Sequence, residues 1–398
     1  MSITRALNEL HNNENSTIGD SKFLSKVGSH LVPSINFSSA NSFQSIDKLE
    51  NYFSDKYNSL RYNRDSKEII HQIENYFKFF FKKQYCLVVD SGMRAISIAI
   101  NSLLETTNKI FIPKESYRKT REYCEYLVKI GAITKLVVYD NSSLYLQSVD
   151  EKSLVIVESF SNPHLIVVDF EKIKRYKSGS GCKILLDSTF SGLINHKVDL
   201  GFVDIEVQSL TKYVSGYNDI VAGVINTNEK RIFENCWDIR SREGGILDSM
   251  SGYLLIRSLR SYDLRLEKQR KNTLHVYKYL INNPQVIEVF FPGKQVNENQ
   301  NQLFNKYYLN GGSVISFVSK MEVKGLSGRM KQFKSIKIAP SFGSVDSLIE
   351  IPSIMSHFEK NEDEIESIGL ERNLVRLSVG CEPFKMIVKD LNKLLKYE

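Results

Sequence analysis

The sequence contains no run of about 18 uncharged apolar residues of the kind that spans a bilayer. Its opening, MSITRALNELHNNENSTIG, lacks the apolar core of an export signal. A cytoplasmic protein without membrane contact is therefore the expectation. Cysteine is scarce and scattered: Cys86, Cys124, Cys182, Cys236 and Cys381 are odd in number and never form C-x-x-C, so neither a disulfide framework nor a metal site is suggested. The charge balance, 53 basic against 46 acidic residues, shows no clustered basic stripe, which speaks against nucleic-acid binding. Also missing are G-x-x-x-x-G-K-[ST], H-E-x-x-H, an EF-hand loop, internal repeats and low-complexity tracts.

What is present is ordinary globular composition, 42% hydrophobic and 25% charged over 398 residues. From about residue 66, short apolar runs alternate with helical patterns, which predicts an α/β fold with a mostly parallel sheet covered by helices. The expected buried strands are Tyr85–Val89, Lys109–Pro113, Ile133–Tyr139, Ser153–Val157, Lys183–Leu186 and Phe202–Gln208. Beyond residue 256 a charged helical stretch, a polar loop and the apolar segment Ser313–Val318 precede a final helix over Phe384–Leu395, the pattern of a smaller α+β domain. The expected division is an N-terminal arm over 1–60, of which 1–30 carry no sustained periodicity, a large domain over 61–256 and a small one over 257–398.

Ligands in open α/β sheets bind beyond the carboxyl ends of the strands. There the sequence puts Asp90-Ser91-Gly92, Glu158, Asp187 and Ser209-Leu210-Thr211-Lys212. Alone, Asp187 also reads as a helix N-cap and Lys212 as a solvated surface charge. Together they suit a pyridoxal cofactor, which needs an amine for its aldehyde and an acid for its pyridine nitrogen. Its phosphate needs hydroxyls and backbone N–H donors at a helix N-terminus. Ser209, Thr211 and the turn Ser91-Gly92-Met93 offer them.

The segment DSTFSGLINHKVDLGFVDIEVQSLTKYVSGYNDIVAGVI (187–225) resembles the lysine-bearing stretch of the cystathionine γ-synthase, cystathionine γ-lyase and methionine γ-lyase family. The likeness extends to VPSINFSSANSF (32–43), Tyr62-x-Arg64, SGMRAI (91–96), ESFSNP (158–163), LLIRSLRSYDLRLEKQ (254–269), SFGSVDSLIEIPSIMSH (341–357) and LVRLSVGCE (374–382). It implies a fold-type I PLP-dependent transferase fold with pyridoxal 5'-phosphate as cofactor. It further implies that Lys212 carries the cofactor and shuttles protons, that Asp187 pairs with the ring nitrogen, and that Tyr117 stacks on the ring. Arg376 would hold the substrate α-carboxylate, with Ser341 and Asn162 lining the same pocket. Tyr62 and Arg64 would reach the cofactor phosphate of a neighbouring subunit, which implies a homo-oligomer with a shared active site, a tetramer built from dimers.

The implied reaction is γ-replacement or γ-elimination on a homoserine- or homocysteine-type amino acid. The alternatives are a β-lyase acting on cystathionine or cysteine conjugates and a PLP-binding relic without catalysis. Three departures from the family pattern stand out: Lys67-Glu68-Ile69 in place of Asn-Pro-Thr, Arg118-Lys119 after the stacking tyrosine, and Pro340 before Ser341. Arg118 and Lys119 are expected to charge the pocket wall and favour an anionic leaving group or a second carboxylate.

Overall fold

The computed structural model describes Ile3 and residues 32–54, 56–57, 60–355 and 369–396. The expected opening arm thus lies largely outside the described residues. Two sheets organise the rest. The larger has seven strands: β1 (Tyr85–Val89), β2 (Lys109–Pro113), β3 (Lys135–Tyr139), β4 (Ser153–Glu158), β5 (Lys183–Asp187), β6 (Ile205–Ser209) and β7 (Gly223–Thr227), ordered β1-β7-β6-β5-β4-β2-β3. Neighbours from β3 to β6 pair in parallel, whereas β7 runs antiparallel to both β1 and β6. The six expected strands all form, with ends displaced by up to three residues. The unforeseen seventh, GVINT, is a short apolar run buried along its whole length.

Alternating side chains of these strands serve both faces of the sheet. In β4, Val155 and Val157 enter the same cluster as Ile184 and Leu186 of β5, while Leu154 and Ile156 join Leu185 on the opposite side. The second face is covered by α1 (Gly92–Asn101), whose Ala95, Ile96, Ile98, Ala99 and Ile100 are all buried. Burial at this density is the main stabilising term, about 1.5–3 kcal/mol for each fully buried aliphatic side chain. A second helix, α2 (Arg118–Lys129), follows β2.

Among the described residues the smaller sheet has five strands, β8 (Val286–Phe290), β9 (Val314–Ser319), β10 (Lys337–Ile338), β11 (Leu348–Glu350) and β12 (Leu374–Ser378), ordered β10-β11-β12-β9-β8. Its own core holds Ile315, Phe317, Ile349, Val375 and Leu377, together with Ile387, Leu391 and Leu394 of the final helix α3 (Phe384–Leu394). Among the described residues no helix is long and apolar enough to cross a membrane, and no cluster of three or more potential metal-ligating side chains forms.

Candidate active site

The carboxyl ends of β4, β5 and β6 open into a cavity of about 410 Å³. Its walls carry Ser91, Gly92, Met93, Tyr117, Asn162, Asp187, Ser209, Thr211, Lys212, Ser341 and Arg376. Eleven of the thirteen residues expected from the sequence therefore meet in one place. The other two, Tyr62 and Arg64, do not line this cavity within the chain; their side chains are 41% and 53% exposed.

Asp187 ends β5 and lies beside Glu158, its register partner at the end of β4. Its Oδ1 accepts hydrogen bonds from the Thr189 backbone N–H (2.9 Å) and hydroxyl (2.5 Å), the local turn that aspartate favours two residues ahead. Thr189 Oγ1 in turn accepts from the Ser209 N–H at 2.9 Å, which ties β5 to the segment bearing the lysine. Burial raises the Asp187 carboxyl despite the Thr189 hydrogen bonds and the Lys212 charge. Burial, with Asp187 next to it, drives Glu158 well above the carboxylate range, although the Tyr117 N–H donates to Glu158 Oε1 at 2.6 Å. Of this pair Glu158 is raised further, and Asp187 has the Thr189 hydrogen bonds and the Lys212 charge to favour its ionised form.

Lys212 follows β6 in a tight turn and donates from Nζ to Ser341 Oγ at 2.8 Å. The Phe342 ring lies 5.2 Å from the same nitrogen. Desolvation and the nearby Arg376 guanidinium lower the lysine to about 8, against the pull of Glu350 and Asp187. A neutral amine is therefore accessible near physiological pH. Ser341 adopts φ 95°. A non-glycine residue there stores roughly 1–3 kcal/mol of strain, and this conformation aims its hydroxyl at Lys212 while its carbonyl accepts from Arg376 Nη2 at 3.2 Å.

The β1–α1 turn, Ser91-Gly92-Met93, forms another wall of the cavity. Ser91 caps α1 by accepting from the Arg94 N–H at 3.1 Å. Next to it, a Cβ on Gly92 would lie 2.7 Å from the Ser209 Cβ, so only glycine lets the two segments approach so closely. The helix N-terminus, the Ser209 and Thr211 hydroxyls, a buried acid and a depressed lysine amine converge on one cavity. This donor set fits pyridoxal phosphate: the α1 terminus and the hydroxyls would suit its phosphate and Asp187 its pyridine nitrogen.

The sequence model of the Cys/Met metabolism PLP-dependent enzymes matches residues 19–396. The chain belongs to this family. Among curated relatives, cystathionine gamma-synthase 1 of Arabidopsis thaliana is 31% identical over 313 residues, covering 78% of this chain and 55% of the relative. Cystathionine gamma-lyase of Dictyostelium discoideum is 27% identical over 78% of this chain and 81% of the relative. The chain thus spans little more than half the length of the plant relative. The fold is that of the cystathionine gamma synthase of Xanthomonas oryzae pv. oryzae, solved with cystathionine, at TM-score 0.86 and 21% identity over 99% of this chain and 98% of that one. It is equally that of a Campylobacter jejuni protein solved with N'-pyridoxyl-lysine-5'-monophosphate, at TM-score 0.88 and 20% identity over the full length of both. The chain accordingly has the fold of these solved structures and belongs to a family of PLP-dependent enzymes.

Two features of the family site differ from expectation. Arg118 and Lys119 do not line the cavity: both pair with Glu122 on α2, at 3.1 and 2.5 Å. An i to i+3 or i+4 carboxylate was a nearer partner than the pocket. They stand at the start of α2, and their charges bear on Tyr117, whose phenol is nevertheless raised by desolvation. The unforeseen member is Glu350, which lines the cavity and whose Oε1 lies 3.0 Å from Arg376 Nη2. Arg376 Nη1 also donates to Asn162 Oδ1 at 2.9 Å. The run SLIEIP offered a signal in its lone acid within an apolar strand.

Proposed function

We propose that this enzyme acts at the γ-carbon of a homoserine- or homocysteine-type amino acid, by replacement or elimination. The observation that supports it is the convergence of Lys212, Asp187, Tyr117 and Arg376 on a single cavity. The names of the relatives, cystathionine gamma-synthase, cystathionine gamma-lyase and L-methionine gamma-lyase, favour this over the β-lyase and relic readings. Pyridoxal phosphate, when bound, supplies an electron sink for negative charge developing at the substrate Cα. Lys212 Nζ is the amine that would carry the aldehyde and, when free, would take the proton from Cα and return it to carbon or the leaving group. Its lowered basicity suits both directions of transfer.

Asp187 would hold the ring nitrogen protonated, and Tyr117 would offer its ring as a stacking face and its hydroxyl to the departing γ-substituent. Arg376 binds the α-carboxylate in a two-pronged geometry that lysine cannot reproduce, with Asn162 and Ser341 fixing the guanidinium. Ser91, Gly92, Met93, Ser209 and Thr211 hold the phosphate. Tyr62 and Arg64, exposed in the single chain, belong in this reading to the phosphate site of a neighbouring copy, within a cytoplasmic homotetramer built of two dimers. The division into an arm over 1–60, a cofactor-binding domain over 61–256 and a C-terminal domain over 257–398 is part of the same proposal.

The test is to reconstitute the protein with pyridoxal phosphate and supply O-succinyl-homoserine with and without cysteine, then cystathionine. Cystathionine formation or 2-oxobutyrate release supports the reading. Pyruvate as the sole keto product, or no turnover of any of these, overturns it.

A further inference from the structure

His164 lies outside the cavity, one residue beyond the Asn162-Pro163 pair, and is only 8% exposed. Its Nδ1 is 3.0 Å from Glu115 Oε1 and its Nε2 is 2.9 Å from Glu371 Oε2. Glu115 belongs to the loop that carries Tyr117 two residues later. Glu371 precedes β12, which carries Arg376. One imidazole thus joins the large-sheet half of the site to the small-sheet half. The other Glu115 oxygen accepts from Ser161 Oγ at 2.6 Å, and the Glu115 carbonyl accepts from the Asn162 N–H at 3.2 Å.

We propose that His164, bridged between Glu115 and Glu371, is a positioning residue that sets the grip of Asn162 and Arg376 on the substrate carboxylate. The inference deepens the reading of Arg376 given above and rests on it. Two carboxylates facing one ring at hydrogen-bond distance require both nitrogens to donate, so the imidazolium is the form that closes the bridge. Asn162, whose backbone is tied to Glu115, presents Oδ1 to Arg376 Nη1. Opening the bridge removes one tie between the Glu115–Asn162 segment and the β12 side, leaving Ser316 Oγ on the Pro163 carbonyl at 2.8 Å and the Asn162–Arg376 contact itself, so the guanidinium is aimed less firmly.

Among the described residues the charged or titratable groups facing His164 are Glu115 and Glu371; the β8 side presents the Phe290 ring, with centroids 4.8 Å apart, and Gln295 is neutral toward the His164 carbonyl. Burial works against the imidazolium, but the two carboxylates outweigh it and raise its pKa to about 9. The bridge is therefore closed below that pH and opens as pH rises through it.

The experiment compares the PLP-loaded wild-type enzyme with His164→Gln, His164→Lys and Glu371→Gln. It measures KM and kcat, together with the dissociation constant of a non-reacting amino acid, from pH 7 to 10. Glu371 is partly exposed, so its glutamine variant tests the bridge even where His164→Gln folds poorly. We expect His164→Gln and Glu371→Gln to raise KM and the dissociation constant about tenfold at pH 7 with kcat within threefold, and to show less rise than wild type above pH 9. We expect His164→Lys to restore tight binding and shift the rise to higher pH. Unchanged binding in both neutral variants, or a fall in kcat alone, overturns the inference while leaving the γ-carbon reading intact. Absence of amino-acid binding by the wild-type holoenzyme overturns both.

Discussion

Glu350 and Arg376 face each other across β11 and β12, in direct register, with carboxylate and guanidinium 3.0 Å apart and only 2% and 5% of the residues exposed. A buried pair adds little net stability, but removing one partner strands the other charge at a cost of about 3–5 kcal/mol. Glu350→Ala is therefore expected to lower the unfolding free energy by about that much in urea titration. A loss below about 1 kcal/mol would show that water replaces the carboxylate. Arg376→Lys keeps a charge but loses the two-pronged fork, so it should raise KM about 10- to 100-fold with stability less affected. An unchanged KM would place the carboxylate elsewhere.

Lys212 is lowered to about 8, chiefly by desolvation. In cofactor-free protein its modification by an amine-selective reagent should follow a midpoint near pH 8, read by peptide mass spectrometry, whereas surface lysines should titrate about two units higher. The sign of the stability effect follows: between pH 8 and the ordinary lysine range the unfolded chain holds a proton that the native chain has released, so stability rises with pH across that window. Borohydride reduction of the PLP-loaded protein should place a pyridoxyl mass on Lys212 alone, and Lys212→Ala should abolish it.

The strand ends were legible because each chemical residue follows an apolar run: Asp187 closes KILL, and Lys212 stands three residues beyond β6. Periodicity places such residues at a sheet edge, and the α/β rule makes that edge a site. The seventh strand was not legible because GVINT carries an asparagine in a short apolar run, and its antiparallel direction depends on partners far off in sequence. Nor could sequence foresee that Arg118 and Lys119 turn to Glu122, since a choice between two partners for a flexible side chain is settled by distance. Glu350 escaped notice for a related reason: an acid in a strand becomes functional only through the arginine opposite, in this case 26 residues away.

Gly92 is held between α1 and Ser209, where a Cβ would meet the Ser209 Cβ at 2.7 Å and its Oγ at 2.9 Å. Gly92→Ala must push the two segments apart and so widen the phosphate cradle. Loss of one or two charge-assisted hydrogen bonds at about 1.5–3 kcal/mol each corresponds to at least a tenfold weaker cofactor affinity. Titration of the cofactor-free variant with pyridoxal phosphate measures it. Wild-type affinity would mean that Ser209 yields without cost. Since Gly92 caps no core cluster, its thermal midpoint should move less than that of Glu350→Ala.

His196 gives the acid limit of the fold. Its ring packs between Phe170 and Tyr308, with centroids at 5.8 and 5.1 Å, and its Nδ1 is buried without a hydrogen-bond partner. Desolvation pushes its pKa down to about 4, from 6.5 in an exposed chain. Above pH 6.5 both native and unfolded rings are neutral and the group has no influence on stability. Below it the unfolded chain takes up the proton first, so stability falls as pH drops from 6.5 toward 4, by on the order of 3 kcal/mol for a shift of this size. Urea unfolding at pH 7 and pH 4.5 measures the difference. His196→Phe keeps a ring in the slot and removes the proton, so its loss between the two pH values should be smaller than that of wild type by nearly this amount. Parallel losses in the two proteins would show that the ring gains a proton acceptor in the native state, since the buried carboxyls Glu158 and Glu206, raised by burial, favour the native state as pH falls.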